Sequence, residues 1–238
     1  MLSPRISHSV SALAGVAVVF LSFSGVMRLS APPCGNLPKG YPAMLAFELA
    51  RSTADLQTVF GDTAGHCRDV MRSDLDHINR LDNLALIPAY GAFLFFFFIG
   101  MYPGMRKVAR MGVVLTVIIC LADWLENMCL FKLSANPEGA RQWLSTLKVT
   151  TEVKWIGLGI AGIFAGILIA RSRSLISRLA QVICCLACVF TVLSVPFPGW
   201  AGLYMVPAIA ACWIVILIVD VFRLRPLPSR SRHPARYI

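Results

Sequence analysis

Charge is scarce in this chain. Asp, Glu, Lys and Arg make up 14% of its 238 residues, against about 25% in a soluble domain. A freely solvated fold needs polar groups to cover its surface, so this shortfall argues against one. Histidine is scarcer still, with four residues, and no HExxH or paired-histidine pattern is present. A nucleophile elbow and a phosphate-binding loop are also missing, which removes the usual signatures of hydrolases and nucleotide enzymes. None of the apolar segments alternates with period two over ten residues, which argues against a transmembrane β-barrel. There is no internal repeat and no low-complexity tract.

Apolar sequence is what the chain has in excess. Hydrophobic residues make up 57% of it and fall into six runs, roughly Val10–Met27, Leu84–Met101, Met111–Phe131, Val153–Ala170, Leu175–Val195 and Ala201–Phe222. At about 1.5 Å per residue, each run is long enough to cross a hydrocarbon core of about 30 Å. The expected fold class is therefore all-α: a polytopic bundle of six transmembrane helices in a single domain, residues 1–222. An external helical loop (28–82) joins spans one and two, and a basic, disordered tail (223–238) follows. Pro196-Phe197-Pro198-Gly199-Trp200 reads as the tight turn between the last two spans.

The formal charge of +10 is unevenly placed. Twelve basic residues (Arg5; Arg106, Lys107 and Arg110; Arg171, Arg173 and Arg178; and five arginines from Arg223 onward) fall on alternate connections, with Asp220 the one acid near them. The other side holds the remaining ten basic and eleven acidic residues. Short loops rich in Lys and Arg stay cytoplasmic. The expected placement is thus the cell (inner) membrane, with both termini in the cytoplasm. The partner this implies is the lipid bilayer; no basic–aromatic interleaving points to nucleic acid, and oligomeric state is not specified by these residues. The first run has the layout of a signal peptide, but Pro32 and Pro33 follow the best cut site after Ala31, and Leu29 stands where a small residue is needed. Cys34, preceded by proline, does not fit a lipoprotein site either. An uncleaved anchor is expected.

Within the loop, Pro42–Phe60 reads as one helix with Leu45, Leu49, Leu56, Val59 and Phe60 on a stripe. Glu48, Arg51 and Asp55 stand at ion-pair spacings along it. Gly61-Asp62-Thr63 breaks it, and a second helix starting near Cys67 runs into span two with a bend at Pro88. Of eight cysteines, only Cys34 and Cys67 lie in the external loop, a compartment that permits disulfides. A Cys34–Cys67 bond is expected, with two buried free thiols as the alternative. The other six, including Cys184-Cys185-x-x-Cys188, read as small apolar packing residues. His66 and His77 share a helical face beside Asp69, Asp74 and Asp76 but stand about 16 Å apart, too far to bind one metal. No metal and no cofactor are expected.

Polar residues inside the spans are the informative exception. Asp123, Glu126 and Asn127 are spaced i, i+3 and i+4, so they share one helix face, which Thr116 and Cys120 extend. Span two opens with Asp82-Asn83 and reaches Tyr90 two turns later; span four opens with Thr150-Thr151-Glu152-Val153-Lys154-Trp155. The topology puts all three groups in the external half of the bilayer. Buried charges there face protein or water and have partners, so Lys154 is expected to pair with Asp123 or Glu126. Three readings stand side by side: a ligand pocket, a structural knot between helices, and snorkelling of Glu152 and Lys154 to the interface.

Phe47-Glu48-Leu49-Ala50, Leu81-Asp82 with Pro88-Ala89-Tyr90, Asp123-x-x-Glu126-Asn127 and Lys154-Trp155 resemble short motifs of uncharacterised bacterial multi-span membrane proteins. The resemblance covers roughly residues 42–155, carries no assigned function, and implies that Glu48, Asp82, Tyr90, Asp123, Glu126, Asn127 and Lys154 act as one set; Glu152 joins it by position. Three function classes follow. The first is binding or transport of a small molecule through the polar pocket. The second is a membrane-embedded acid–base enzyme on a lipid-like substrate, with Asp123 or Glu126 as acid or base and Lys154 or Tyr90 stabilising charge. The third is a structural or accessory subunit.

Overall fold

A computed structural model describes residues 3–28, 34–37, 41–61, 65–139, 141–172 and 174–224. Its elements, in chain order, are α1 (Pro4–Arg28), α2 (Ala43–Glu48), α3 (Thr53–Phe60), α4 (His66–Leu81), a π-helical turn (Asp82–Leu86), α5 (Ile87–Met101), α6 (Arg106–Ala135), α7 (Arg141–Ala170), α8 (Leu175–Ser194) and α9 (Pro198–Leu224). No strand occurs among the described residues. Six of these helical stretches are long and apolar enough to cross a membrane, with α4, the π turn and α5 forming one of them. The protein is a multi-pass helical membrane bundle. Each spanning helix packs on its sequence neighbour, and α1 also packs on α9, so the six helices close into a ring.

The main core lies inside this ring and includes Phe93, Phe97, Phe98, Leu158, Ala161 and Ile216. Outward faces are apolar and exposed, as with Val114, Val117, Leu121 and Leu125 on α6, which is the pattern lipid requires. Glycines let α7 and α8 pack against each other closely. A Cβ on Gly162 would sit 3.0 Å from the carbonyl oxygen of Cys184, and one on Gly166 3.3 Å from the Cys184 Cβ. Small residues let α7 and α8 approach in this way, and Cys184 is a buried packing residue there.

A second core caps one end. Phe47, Leu56, Val59, Phe60, Met71 and Leu75 from α2–α4 pack on Leu130, Leu133, Leu144 and Leu147 of α6 and α7. Each large side chain fully buried here contributes about 1.5–3 kcal/mol. This cap explains why α7 begins at Arg141, twelve residues before the apolar run Val153–Ala170: Leu144 and Leu147 stabilise helix outside the span. The Cys34–Cys67 disulfide is present, with Cα atoms 5.7 Å apart. It ties the lead segment to the first turn of α4. The Pro32-Pro33 part of that lead, Asp62 and Thr63 in the loop break, and the tail from residue 225 lie outside the described residues.

Two local expectations need correction. Pro42–Phe60 is two helices rather than one. Ser52 caps α3 through a reciprocal capping box with Asp55, and Asp55 Oδ2 also accepts the backbone N–H of Arg51 at 2.8 Å. These bonds satisfy α3's first donors and stop α2 from running through. The Glu48–Arg51–Asp55 ion pairing does not form. Arg51 Nη1 donates to the carbonyls of Glu48 and Ala50, while the Glu48 side chain turns inward.

Where a bend at Pro88 was expected, the helix carries the π-helical turn Asp82–Leu86 just before it. Ile87 N–H donates five residues back to the Asp82 carbonyl, and Pro88 has no N–H to continue that register to Asn83. The Asn83 carbonyl is left over, and the indole N–H of Trp124 donates to it at 3.4 Å. Helix α9 continues through Arg223 to Leu224, two residues past the expected end of the span. Phe197 and Trp200 stack at 6.1 Å at its start.

Candidate functional site: an acid-rich cluster around one lysine

Helix α6 presents Asp123, Glu126 and Asn127 on one face, all buried. Helix α7 runs antiparallel to it, so Lys154, near the loop end of the apolar run, stands level with them. The Lys154 ammonium lies 2.5 Å from Glu126 Oε2, 3.2 Å from Asp123 Oδ1 and 3.2 Å from Glu48 Oε2. Its Nζ also sits 4.7 Å from the centroid of the Trp155 ring, a cation–π contact. Lys154 is 4% exposed, which rules out snorkelling to the interface. Glu152, two residues earlier, points elsewhere: it is half-buried and its charge acts on Arg51.

Each acid has further partners. Tyr90 donates its hydroxyl to Asp123 Oδ2 at 2.7 Å, and its ring stacks on Trp213 of α9 at 5.6 Å. Thr151 donates to Glu126 Oε1 at 2.8 Å and approaches the Glu48 carbonyl at 3.2 Å. Asn127 Nδ2 donates to Asp82 Oδ2 at 2.7 Å and to Asn83 Oδ1 at 3.1 Å. Asp82 thereby joins the cluster through the Asn127 amide. Glu48 comes from the loop: α2 is short, and its last residue hangs over the bundle end. Burial pushes the Glu48 carboxyl above its ordinary value, more strongly than Lys154 pulls it back, and the nearby Asp123 charge adds to the rise. Burial likewise lowers Arg51, against the carboxylates of Glu152, Glu126 and Asp55.

Seven of the eight site residues expected from sequence are therefore brought together, and Glu152 is not. Thr151 and Trp213 were missed. Thr151 is three residues from Lys154 and so shares its face, a signal that was available; Trp213 lies on a distant span, where no local spacing reveals it. The cluster also holds a loose end. Asn127 Oδ1 is buried without a hydrogen-bond partner, as are both polar atoms of the Asn79 side chain, although buried polar groups are normally paired.

A groove of about 310 Å³ runs between α5 and α6, lined by apolar groups with Gly91, Cys120 and Trp124 among them. Cys120 lies one turn before Asp123 and Trp124 directly after it, so the groove borders the face of α6 that carries the acid cluster. Glu48, Asp123, Glu126 and Lys154 do not line it.

A second buried polar group lies at the other end of the bundle and was also missed. His8 Nδ1 is 2.6 Å from Asp220 Oδ1. Ser11 lies 2.5 Å from Asp220 Oδ2 and donates to the Phe93 carbonyl at 2.8 Å. All three side chains are buried. The signal was the presence of one histidine in the first span and one acid in the last, both near the terminal end. No known protein family matches this chain, and no curated protein or solved structure does.

Proposed function

We propose that the protein is a membrane binding or transport protein for a small cationic species, with its site at Glu48, Asp82, Asp123 and Glu126 around Lys154. The charge count carries this reading. Three buried carboxyls contact one ammonium, and a fourth, Asp82, is tied in through Asn127. A knot that only locks helices together needs one acid per base. Every further carboxylate costs several kcal/mol to bury unless a proton or a cation neutralises it. Fully ionised, the set carries three net negative charges, so it takes up protons or a cation. Lys154 is a tethered cation that an arriving one can displace, and the unpaired Asn127 Oδ1 is a spare acceptor for a ligand N–H.

The test is a cation titration of the purified protein in nanodiscs, read by melting temperature and by proton release into weak buffer. The panel is sodium, potassium, magnesium, calcium, methylammonium and a polyamine. At least one should stabilise the protein and release about one proton per cation bound, and Asp123→Asn with Glu126→Gln should abolish both effects. A flat response to the whole panel rejects the reading.

The groove between α5 and α6 favours a second reading, an acid–base enzyme on a lipid-like substrate. An acyl chain in that groove would place a headgroup near the Tyr90–Asp123 pair. Loss of a converted lipid from membranes expressing Tyr90→Phe, relative to wild type, would support it. The orientation we propose puts both termini in the cytoplasm of the cell membrane. It is supported by the twelve basic residues on the terminal side, and puts the acid cluster in the external half of the bilayer.

A further inference from the structure

The terminal end of the bundle holds a cavity of about 590 Å³, and Arg5, His8, Arg171 and Arg223 are among the residues that line it. These come from α1, the end of α7 and the end of α9, which the closed ring brings to one mouth. No acidic side chain is among the lining residues. The nearest acid, Asp220, is occupied by His8 and Ser11 behind the wall. The mouth therefore carries three guanidinium charges and no lining carboxylate, with the charge of Asp220 acting on Arg223 from behind the wall.

His8 is the second observation. It is 3% exposed, and its ring is seated against Gly100, where a Cβ would come within 2.7–3.0 Å of three ring atoms. With Nδ1 turned to Asp220, Nε2 is the nitrogen left for a ligand. A buried, oriented imidazole thus lines the same cavity as the three arginines. Arginine suits phosphate because its planar fork bonds two oxygens at once. The volume falls in the range of small-molecule sites, about 300–1,000 Å³, and leaves space for whatever the phosphate is attached to.

We propose that this cavity binds a phosphate group, held by Arg5, Arg171 and Arg223 at the mouth and by His8 at the floor. The phosphate belongs either to a lipid headgroup at the membrane surface or to a free phosphate compound, and the chemistry of recognition is the same.

The test uses the full-length chain in neutral detergent. Native mass spectrometry reads retention of phosphatidic acid and phosphatidylglycerol, and melting temperature reads millimolar inorganic phosphate. Combining Arg171→Gln with Arg223→Gln should lower binding at least about tenfold, the loss of roughly one charge-assisted hydrogen bond. The control pair, Arg106→Gln with Lys107→Gln, removes the same charge at the same end but outside the cavity, and should change binding less than about twofold. Arg171 also donates to the Gly104 carbonyl, so Arg223→Gln alone, which leaves that bond intact, should still weaken binding several-fold. Retained lipid with no response to inorganic phosphate assigns the site to a headgroup; stabilisation by inorganic phosphate that displaces lipid assigns it to a free phosphate. Binding of neither, or an equal loss in the control pair, overturns the proposal.

Discussion

Lys154 Nζ and Glu126 Oε2 stand 2.5 Å apart inside the bundle, yet Glu126 is only one of three carboxylates within 3.2 Å of that ammonium. The cluster is therefore asymmetric: it has one base to lose and several acids. Removing the base leaves a group of like charges buried together, whereas removing one acid relieves repulsion as much as it breaks an ion pair.

Lys154→Met should accordingly destabilise the protein by about 3–5 kcal/mol, the cost of stranding buried charge. Glu126→Gln should cost less than about 1 kcal/mol, because Asp123 and Glu48 remain on the ammonium. Adding Glu126→Gln to Lys154→Met should recover part of the loss. Unfolding of the purified variants in mixed micelles measures all three, and an acid variant as damaging as the lysine variant would contradict the charge count.

Stability should depend on pH through Glu48. Its carboxyl is raised in the folded state from an ordinary value of 4.5, with burial the largest cause. The folded protein then binds this proton more tightly than the unfolded chain does, so the contribution is complete below 4.5 and is lost as pH rises through the raised value. Melting temperature of wild type minus Glu48→Gln, followed from pH 4 to pH 8, should decline with pH. A difference that grows with pH would give the opposite sign and refute the assignment.

The Cys34–Cys67 bond closes a loop with a sequence separation of 33, for which loop-closure entropy gives about 4 kcal/mol at most. Cys34→Ser and Cys67→Ser should lower stability by about 2–4 kcal/mol and by equal amounts, since either removes the same cross-link. Peptide mapping without reductant should find the linked pair. Alkylation of both thiols in unreduced protein would show that the bond is not made.

Orientation is open to direct measurement. In a cysteine-free background, Lys107→Cys and Arg173→Cys should be protected from an impermeant thiol reagent in intact cells, and Ser145→Cys and Ala140→Cys should be labelled. External labelling at position 173 would invert or break the six-span topology.

The apolar runs determined the number of spans because a hydrocarbon core tolerates only helices long enough to cross it. Spacing alone placed Asp123, Glu126 and Asn127 on one face, since the helical period is a local property of the backbone. The pairing of Lys154 with them followed from antiparallel neighbours standing level. Sequence periodicity did not reveal that Pro42–Phe60 breaks at Ser52, because the same apolar stripe continues on both sides of the capping box. Nor did it show that Glu48 completes the cluster: that required the loop to fold back on the bundle, and what holds it there is Phe47 and Leu56 packing against α6 and α7. Tertiary structure likewise decided the His8–Asp220 pair and the arginine-lined mouth beside it. His8 and Asp220 are 212 positions apart, and only closure of the helix ring, α1 against α9, brings them within bonding distance and gathers Arg5, Arg171 and Arg223 at one mouth.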